Sequence, residues 1–294
     1  MLANPFMTAS GTSGHDTELS RHMDLASLGA VVVKSLYHEP WPGNPAPRVH
    51  TAGTGMINAV GLEGPGVSVW CAESLPRLEA IGATTVVSIW GRGVPEFVRA
   101  AELLAPHSHR IAAVEVNLSC PNLEGRNAIF AHSAELSAQV VAGVVGATGV
   151  PVWAKLSANT DRLVDVASAV SAAGAGAVTL INTMLGMQID PVSGRFSLGN
   201  GGGGLSGPPI HPVAVRAVHD VAVALPDLDI IGVGGISSGA EAVEMMLAGA
   251  RCVQVGTATF ARPDATARIR DEAAGIVLAR GCRSWSEVHR GALV

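Results

Sequence analysis

Two lysines end apolar segments that have the composition of buried strands. Lys34 closes the run Ala30–Ser35, and Lys155 closes the run Val152–Leu156. A buried ammonium without a partner is costly, so each lysine needs a partner, a ligand, or a stem that carries its charge to solvent. Because two lysines occupy equivalent positions, we favour an anionic ligand over a purely structural role.

Four asparagines occur at comparable places. Asn117 and Asn122 flank the end of one predicted strand, Asn182 follows another, and Asn58 lies in a long connection. Each amide offers two donors and an acceptor, which suits a planar ring that carries alternating carbonyl and N–H groups. Singly, such residues are more often turn or capping residues. Together they predict a hydrogen-bonding pocket for a heterocycle.

Cys120 is the cysteine that lies in a polar segment, Asn117–Asn122. Cys252 belongs to an apolar strand, where packing is the expected role, and we assign no chemistry to Cys71 or Cys282. The four cysteines form no CxxC pair, so we predict no metal site. Neighbouring lysines and amides would raise the reactivity of Cys120, which makes it a candidate nucleophile or base.

Glycine-rich turns follow two predicted strands near the carboxyl end. The turns contain Gly234-Gly235 and Gly256-Thr257, at the seventh and eighth strand ends, where barrels commonly bind phosphate through backbone N–H groups. Ordinary tight turns between strand and helix are the alternative. A third glycine run, Gly201–Gly207, allows either a close approach to a ligand or the hinge of a flexible lid.

The scaffold that would bring these residues together is an alternation of strands and helices. The predicted strands are Asn4–Ala9, Ala30–Ser35, Thr84–Ile89, Ala113–Ser119, Val150–Leu156, Ala177–Thr183, Asp229–Gly234 and Cys252–Thr257. The predicted helices include Asp161–Ala173, Pro212–Leu225 and Ala240–Ala248. Because the carboxyl ends of barrel strands share one mouth, we predict an α/β fold. It is a single (β/α)8 TIM barrel over residues 1–294, with long insertions at the mouth in Leu36–Ala83 and Met184–His211.

The composition limits the function classes. Hydrophobic residues make up 48% of the chain and charged residues 15%, which suits buried parallel strands. The net charge of −5 provides no basic field for nucleic acid. No segment has the length and apolarity of a membrane span, and the start lacks the pattern of a signal peptide. We therefore expect a cytoplasmic protein that binds neither membrane nor nucleic acid.

Ordered segments over nearly the whole chain resemble the dihydroorotate dehydrogenase family. They are NPFMTASGT, VVVKS, GNPAPRV, GMINAVGL, VNLSCPN, VWAKLS, LINTMLGMQID, GGLSGPPIHPVAVR, GVGGISS and VGTATF. A cysteine rather than a serine at position 120, without an amino-terminal membrane segment, is similar to the soluble branch. Asn58–Leu62 and Asn182-Thr183 are more similar to its NAD-linked, two-component subclass than to the fumarate-linked one.

The resemblance implies FMN-dependent oxidation of dihydroorotate to orotate, a step of pyrimidine (UMP) biosynthesis. Cys120 would take a proton from the ring carbon next to a carbonyl, while hydride passes from the neighbouring carbon to FMN. The pyrimidine would be held by Lys34, Asn58, Ala59, Val60, Gly61, Leu62, Asn117, Asn122, Asn182 and Thr183. FMN would be held by Ser10, Lys34, Ser35, Asn117, Lys155, Ile181, Gly207, Gly234, Gly235, Gly256 and Thr257. Lys155 would stabilise negative charge on the reduced ring.

The subclass also implies partners. We expect a homodimer and a second protein that carries FAD and an iron–sulfur cluster and passes electrons to NAD. The fumarate-linked, partner-free alternative stays open.

The chain departs from the family pattern in three places. Ser88 stands where the family usually has a flavin-contacting asparagine, and Glu63-Gly64-Pro65 replaces the usual Gln-Asn-Pro. We expect these changes to affect FMN affinity and the substrate wall. The usual hairpin at the barrel base is missing, so the expectation is an open base or a start further upstream.

Three other functions compete with the implied one. They are a related flavin barrel that acts on another pyrimidine, as dihydropyrimidine dehydrogenase does, a non-redox barrel enzyme that binds a phosphate, and a silent barrel kept for assembly. Lys34 favours a substrate with a carboxylate over an uncharged pyrimidine.

Overall fold

The computed structural model describes residues 2–119, 121–122 and 128–293, with only the backbone of residues 121, 122 and 128. In chain order the strands are β1 (Phe6–Thr8), β2 (Val31–Leu36), β3 (Val49–Ala52), β4 (Gly55–Asn58), β5 (Thr85–Ile89), β6 (Ala113–Asn117), β7 (Pro121–Asn122), β8 (Ala128–Ile129), β9 (Val152–Lys155), β10 (Ala177–Leu180), β11 (Met184–Met187), β12 (Gly202–Ser206), β13 (Asp229–Val233) and β14 (Cys252–Val255).

The α-helices are α1 (Val67–Ala80), α2 (Val94–Leu104), α3 (Ala134–Ala147), α4 (Leu163–Ala172), α5 (His211–Ala224), α6 (Gly239–Ala248), α7 (Ala258–Ala261) and α8 (Ala265–Ala279). Short 3-10 helices cover Glu18–Arg21, Leu25–Ser27, Ala105–Arg110, Phe130–His132, Pro208–Ile210 and Trp285–Glu287. Among the described helices, none is long and apolar enough to span a lipid bilayer.

Eight parallel strands form a nearly closed barrel. Their order is β1-β14-β13-β10-β9-β6-β5-β2, and a parallel bridge between Met7 and Ala30 brings the first and last of them together. Helices lie between successive strands along the chain, so the α/β barrel prediction is confirmed. All eight predicted strands are present, and most of them are shorter than predicted.

The strands are buried on both faces, as their continuous apolar runs indicate. Every residue of β5 and of β6 is buried. Inside the barrel, Met7, Val32 and Val86 belong to an inner layer, against which the partly buried side chains of Leu2 and Trp153 pack. Buried side chains of the barrel strands therefore pack against one another in this layer.

The two long insertions meet in a second, smaller sheet. Its four antiparallel strands have the order β11-β12-β4-β3, so β12 is a central strand. The glycine run Gly201–Gly207 supplies β12 and pairs with both neighbours. The glycine run is thus part of a paired sheet at the barrel mouth. It is not the hinge of a flexible lid, which was the alternative interpretation of its sequence.

Candidate active site

A cavity of about 650 Å³ opens between the carboxyl ends of the barrel strands and the small sheet. This volume lies within the range of small-molecule and cofactor sites. The predicted residues that line it are Ser10, Lys34, Ser35, Asn58, Ala59, Val60, Gly61, Leu62, Asn117, Lys155, Ile181, Asn182, Thr183, Gly207, Gly234, Gly235, Gly256 and Thr257. Cys120 lies outside the described residues. For Asn122 only the backbone is described, in β7.

A chain of hydrogen bonds runs across the cavity floor. The hydroxyl groups of Ser88 and Ser35 are 2.8 Å apart. Asn117 Nδ2 donates to Ser35 Oγ at 3.2 Å, and Asn182 Nδ2 donates to Asn117 Oδ1 at 3.1 Å. Asn182 Oδ1 accepts in turn from the backbone N–H of Thr183 at 2.8 Å. These bonds fix the orientation of the Asn117 and Asn182 amides at the cavity floor.

Ser88, the residue that departs from the family pattern, is fully buried behind Ser35. It does not line the cavity, so its hydroxyl reaches a ligand only through Ser35. Trp90, two residues later, is also buried and stacks on Tyr37 with ring centroids 4.7 Å apart. Neither of these two side chains lines the cavity.

Lys155 ends β9 and is only 4% exposed. Its Nζ lies 3.7 Å from Glu115 Oε1 and 3.5 Å from Ser10 Oγ. Glu115 is itself 0% exposed, and its Oε2 accepts hydrogen bonds from Thr179 Oγ1 at 3.0 Å and Gln254 Nε2 at 2.7 Å. The lysine head therefore does not reach solvent, and it faces the cavity above a buried carboxylate.

The structure places Lys34 inside a strand, whereas the sequence predicts it at a strand end. β2 continues to Leu36, and the pairing register with β5 shifts between Val33 and Leu36. Lys34 is half-buried and lines the cavity. Burial lowers the pKa of its ammonium, an effect that the carboxylate of Glu63 opposes and the guanidinium of Arg48 adds to. Lys34 thus places a positive charge in the cavity wall without a close acidic partner among the described residues.

The small sheet and residues 59–62, which follow its strand β4, form the opposite wall of the cavity. Asn58 Nδ2 donates to the Gly204 carbonyl at 3.3 Å, which fixes its amide. Trp41 Nε1 donates to the Gly61 carbonyl at 3.0 Å, which holds the backbone of the wall in place.

Glu63 is the first residue of the Glu63-Gly64-Pro65 segment, which departs from the family pattern. It forms an ion pair with Arg48. At Gly64, a Cβ would lie 3.1 Å from His15 Nε2, so glycine suits the space that is present. The Glu63-Gly64-Pro65 loop is therefore anchored beside the wall.

A glycine cradle lies at the other end of the cavity. Gly207, Gly234 and Gly235 have positive φ angles of 88°, 141° and 68°. A Cβ on Gly235 would lie 2.8 Å from the Gly207 carbonyl oxygen, so a side chain does not fit there. Within the described part of the chain, the N–H groups of Gly235, Gly256 and Thr257 donate to no protein acceptor. Free N–H groups that line a cavity are the donors that a phosphate requires.

Comparison with known proteins places the chain in a family. A profile described as dihydroorotate dehydrogenase matches residues 1–277. The chain belongs to the dihydroorotate dehydrogenase family. A relative from Desulforudis audaxviator is 44% identical over 287 residues, which are 98% of this chain and 93% of the relative. A relative from Bacillus pumilus is 39% identical over 286 residues, 97% of this chain and 92% of the relative. Both are named dihydroorotate dehydrogenase B (NAD(+)), catalytic subunit. The family is flavin-dependent.

Several polar residues of this family member were missed by sequence reasoning. Glu115, Thr179 and Gln254 lie beneath the cavity, and Asn159 lines it, where its Nδ2 donates to the Thr183 carbonyl at 3.0 Å. A signal existed for Glu115, because it is an acid in an apolar strand two residues before Asn117. Alternate residues of a strand share a face, so both point into the barrel.

The remaining cysteines fit a packing role. Burial raises the pKa of Cys71 and of Cys252 to about 11, so both thiols are neutral near pH 7. Among the described residues, Cys71, Cys252 and Cys282 form no disulfide. That same part of the chain contains no group of three or more His, Cys, Asp or Glu residues that could hold a metal ion.

Proposed function

We propose that this chain oxidises dihydroorotate to orotate in pyrimidine biosynthesis, with FMN as the immediate electron acceptor, and that residues 1–294 act as one domain. The observation that carries the proposal is a single cavity that joins a glycine cradle, a buried lysine and an amide-lined wall with a second lysine. The names of the relatives support the same reaction.

The cavity fits FMN in two respects. The free N–H groups of Gly235, Gly256 and Thr257 suit its phosphate, and the ammonium of Lys155 suits a ring that gains negative charge on reduction. Ser10, Ser35, Asn117 and Ile181 lie between these two ends of the cavity. When bound there, FMN supplies a hydride acceptor that none of the amino-acid side chains can provide.

The remaining polar groups suit a pyrimidine that carries a carboxylate. The ammonium of Lys34 attracts the carboxylate, and the fixed amides of Asn58, Asn117 and Asn182 match ring carbonyl and N–H groups. We assign Asn122 and Thr183 to the same ring, and the backbone from Asn58 to Leu62 to one wall.

We assign the proton transfer to Cys120. As the base, it takes the proton from the ring carbon next to a carbonyl, and the neighbouring carbon loses a hydride. The support comes from its chain neighbours, because Ser119 directly before it lines the cavity. Burial raises the pKa of the Cys71 and Cys252 thiols to about 11, so neither is a thiolate at neutral pH.

A second subunit is the acceptor that we favour for the electrons. The relatives are named catalytic subunits, which implies a partner in those proteins. Apolar side chains are exposed beside the cavity mouth, at Leu185, Met187, Ile189, Val192 and Phe196. Leu185 also lines the cavity, so a subunit docked on this surface would lie next to the flavin. We propose that this subunit carries FAD and an iron–sulfur cluster and that the catalytic chain forms a homodimer.

The closest rival reaction is reduction or oxidation of a pyrimidine without a carboxylate. The position of Lys34 in the cavity wall favours dihydroorotate, because an uncharged pyrimidine leaves that ammonium without a partner. The test compares dihydroorotate with dihydrouracil as substrates of the FMN-loaded chain, with a dye as the final acceptor. We expect turnover of dihydroorotate, and turnover of dihydrouracil alone would contradict the proposal.

A further inference from the structure

The floor beneath the cavity contains a carboxylate that the proposed reaction does not use. Glu115 is 0% exposed and lies on β6, two residues before Asn117. An isolated buried carboxylate is strongly disfavoured unless charges and hydrogen bonds compensate for the loss of water.

The two oxygens of Glu115 have different surroundings. Oε2 accepts from two neutral donors, Thr179 Oγ1 at 3.0 Å and Gln254 Nε2 at 2.7 Å. Within the described residues Oε1 has no hydrogen bond, and the nearest cation is Lys155 Nζ at 3.7 Å. The neutral donors therefore orient the carboxylate so that Oε1 faces the lysine.

Lys155 is held loosely by its protein partners. Its distances of 3.7 Å to Glu115 Oε1 and 3.5 Å to Ser10 Oγ exceed the usual 2.7–2.9 Å or so of a charge-assisted hydrogen bond. An ammonium has three N–H donors, so Lys155 retains donor capacity toward the cavity that it lines. The charge is thus shared between the carboxylate below and a ligand above.

We propose that Glu115 is a positioning residue: its carboxylate attracts the ammonium of Lys155 toward the cavity floor, competes for it with the reduced flavin, and so lowers the reduction potential of the bound flavin. This inference rests on the proposed function. A hydride would bring two electrons and one proton to a bound flavin, and the second substrate proton would leave with the base, so the ring would gain one negative charge. Glu115 competes with that charge for the same ammonium, which makes reduction less favourable.

A purely structural ion pair explains the geometry less well. Buried ion pairs are weak stabilising elements, since well-packed apolar residues often replace them without loss of stability. A pair that served stability alone would also be expected to close to hydrogen-bond distance, whereas Lys155 remains at 3.7 Å and faces the cavity.

The test measures the midpoint potential of bound FMN with a chemical reductant and a reference dye. Glu115→Gln keeps the shape of the side chain and removes its charge. We expect reduced FMN to bind about tenfold more tightly relative to oxidised FMN than in the wild type, as loss of a charge several ångströms away implies. For a two-electron couple this is a positive shift of about 30 mV.

Two comparisons separate positioning from other effects. Thr179→Val removes a hydrogen bond to the same carboxylate but keeps its charge, so we expect a much smaller shift. In a Lys155→Met background, the shift caused by Glu115→Gln should be mostly lost, because the proposed effect passes through the lysine. An unchanged or more negative potential in Glu115→Gln, or an equal shift in both backgrounds, would overturn the proposal.

A further variant covers the case in which Glu115→Gln does not fold, and the choice of reductant separates this inference from the proposed reaction. If Glu115→Gln does not fold, Glu115→Asp keeps the charge and moves it away from Nζ, and a smaller positive shift is the expected result. An absent shift in Glu115→Asp would then count against the proposal. The reductant in this test is not dihydroorotate. A chain that binds FMN and shows these shifts but does not oxidise dihydroorotate would therefore contradict the proposed reaction and still support the inference about Glu115.

Discussion

The two cavity lysines have the same residue type and different surroundings. Lys155 is buried over the carboxylate of Glu115, whereas Lys34 is half-buried in the wall. Their positions after apolar runs favour a ligand for both, and both line the cavity. The sequence could not reveal that Glu115 lies beneath Lys155, because that contact joins different strands and depends on how the barrel closes.

The lowered pKa of Lys34 predicts a specific pH dependence. Its ammonium binds the substrate carboxylate only when protonated, and burial lowers its pKa below the ordinary value of 10.5. For dihydroorotate, kcat/KM reports the free enzyme, so it should fall as pH rises through a value below 10.5. Lys34→Arg stays protonated and should remove that alkaline fall. A kcat/KM that is flat to pH 10.5 in the wild type would exclude this role of Lys34.

At the scale of elements, the apolar runs predicted the barrel strands well, because buried parallel strands need no alternation of polar residues. The small sheet was not predicted. Its central strand β12 is Gly202–Ser206, and a run of glycines has little strand propensity. Packing explains the glycines: a Cβ on Gly203 would lie 2.4 Å from the Asn58 carbonyl oxygen, and one on Gly204 would lie 2.1 Å from Thr183 Oγ1.

The glycines of β12 provide a matched pair of variants. Gly204→Ala should displace Thr183 and weaken binding of orotate, with a loss of stability of about 1–3 kcal/mol typical of overpacking. At Gly202 the nearest atom to a Cβ is the Gly186 carbonyl oxygen at 3.4 Å, an ordinary contact, so Gly202→Ala is the control. Orotate titration and thermal unfolding of both variants measure the effect. Equal behaviour of the two variants would show that close packing does not explain this strand.

At the scale of the whole molecule, the barrel closes where its first strand meets the segment before β2. The N–H of Gly29 donates to the Phe6 carbonyl at 2.8 Å, and Thr8 donates to the Ala30 carbonyl at 3.3 Å. A Cβ on Gly29 would lie 2.1 Å from the Asn4 carbonyl oxygen. The strand count predicted the barrel, but the closing contact depends on this close approach of two backbones and has no pattern in the sequence.

Barrel closure predicts that Gly29→Ala is strongly destabilising, by about 2 kcal/mol or more, because the obstructing atoms are backbone. Gly275→Ala is the control: the site lies in α8 with nothing within 4 Å of a Cβ, and alanine favours helix. Urea unfolding of the two variants and the wild type measures both effects. A Gly29→Ala protein as stable as the wild type would mean that closure does not require glycine there.

The central claim is that the cavity oxidises dihydroorotate with Cys120 as the base. The most direct measurement is anaerobic stopped-flow reduction of bound FMN by dihydroorotate, in the wild type, in Cys120→Ala and in the buried control Cys252→Ala. We predict rapid reduction in the wild type and the control. In Cys120→Ala, FMN should stay bound while its reduction slows by roughly two orders of magnitude or more. Wild-type FMN that dihydroorotate cannot reduce would contradict the function, and an unchanged rate in Cys120→Ala would contradict the base.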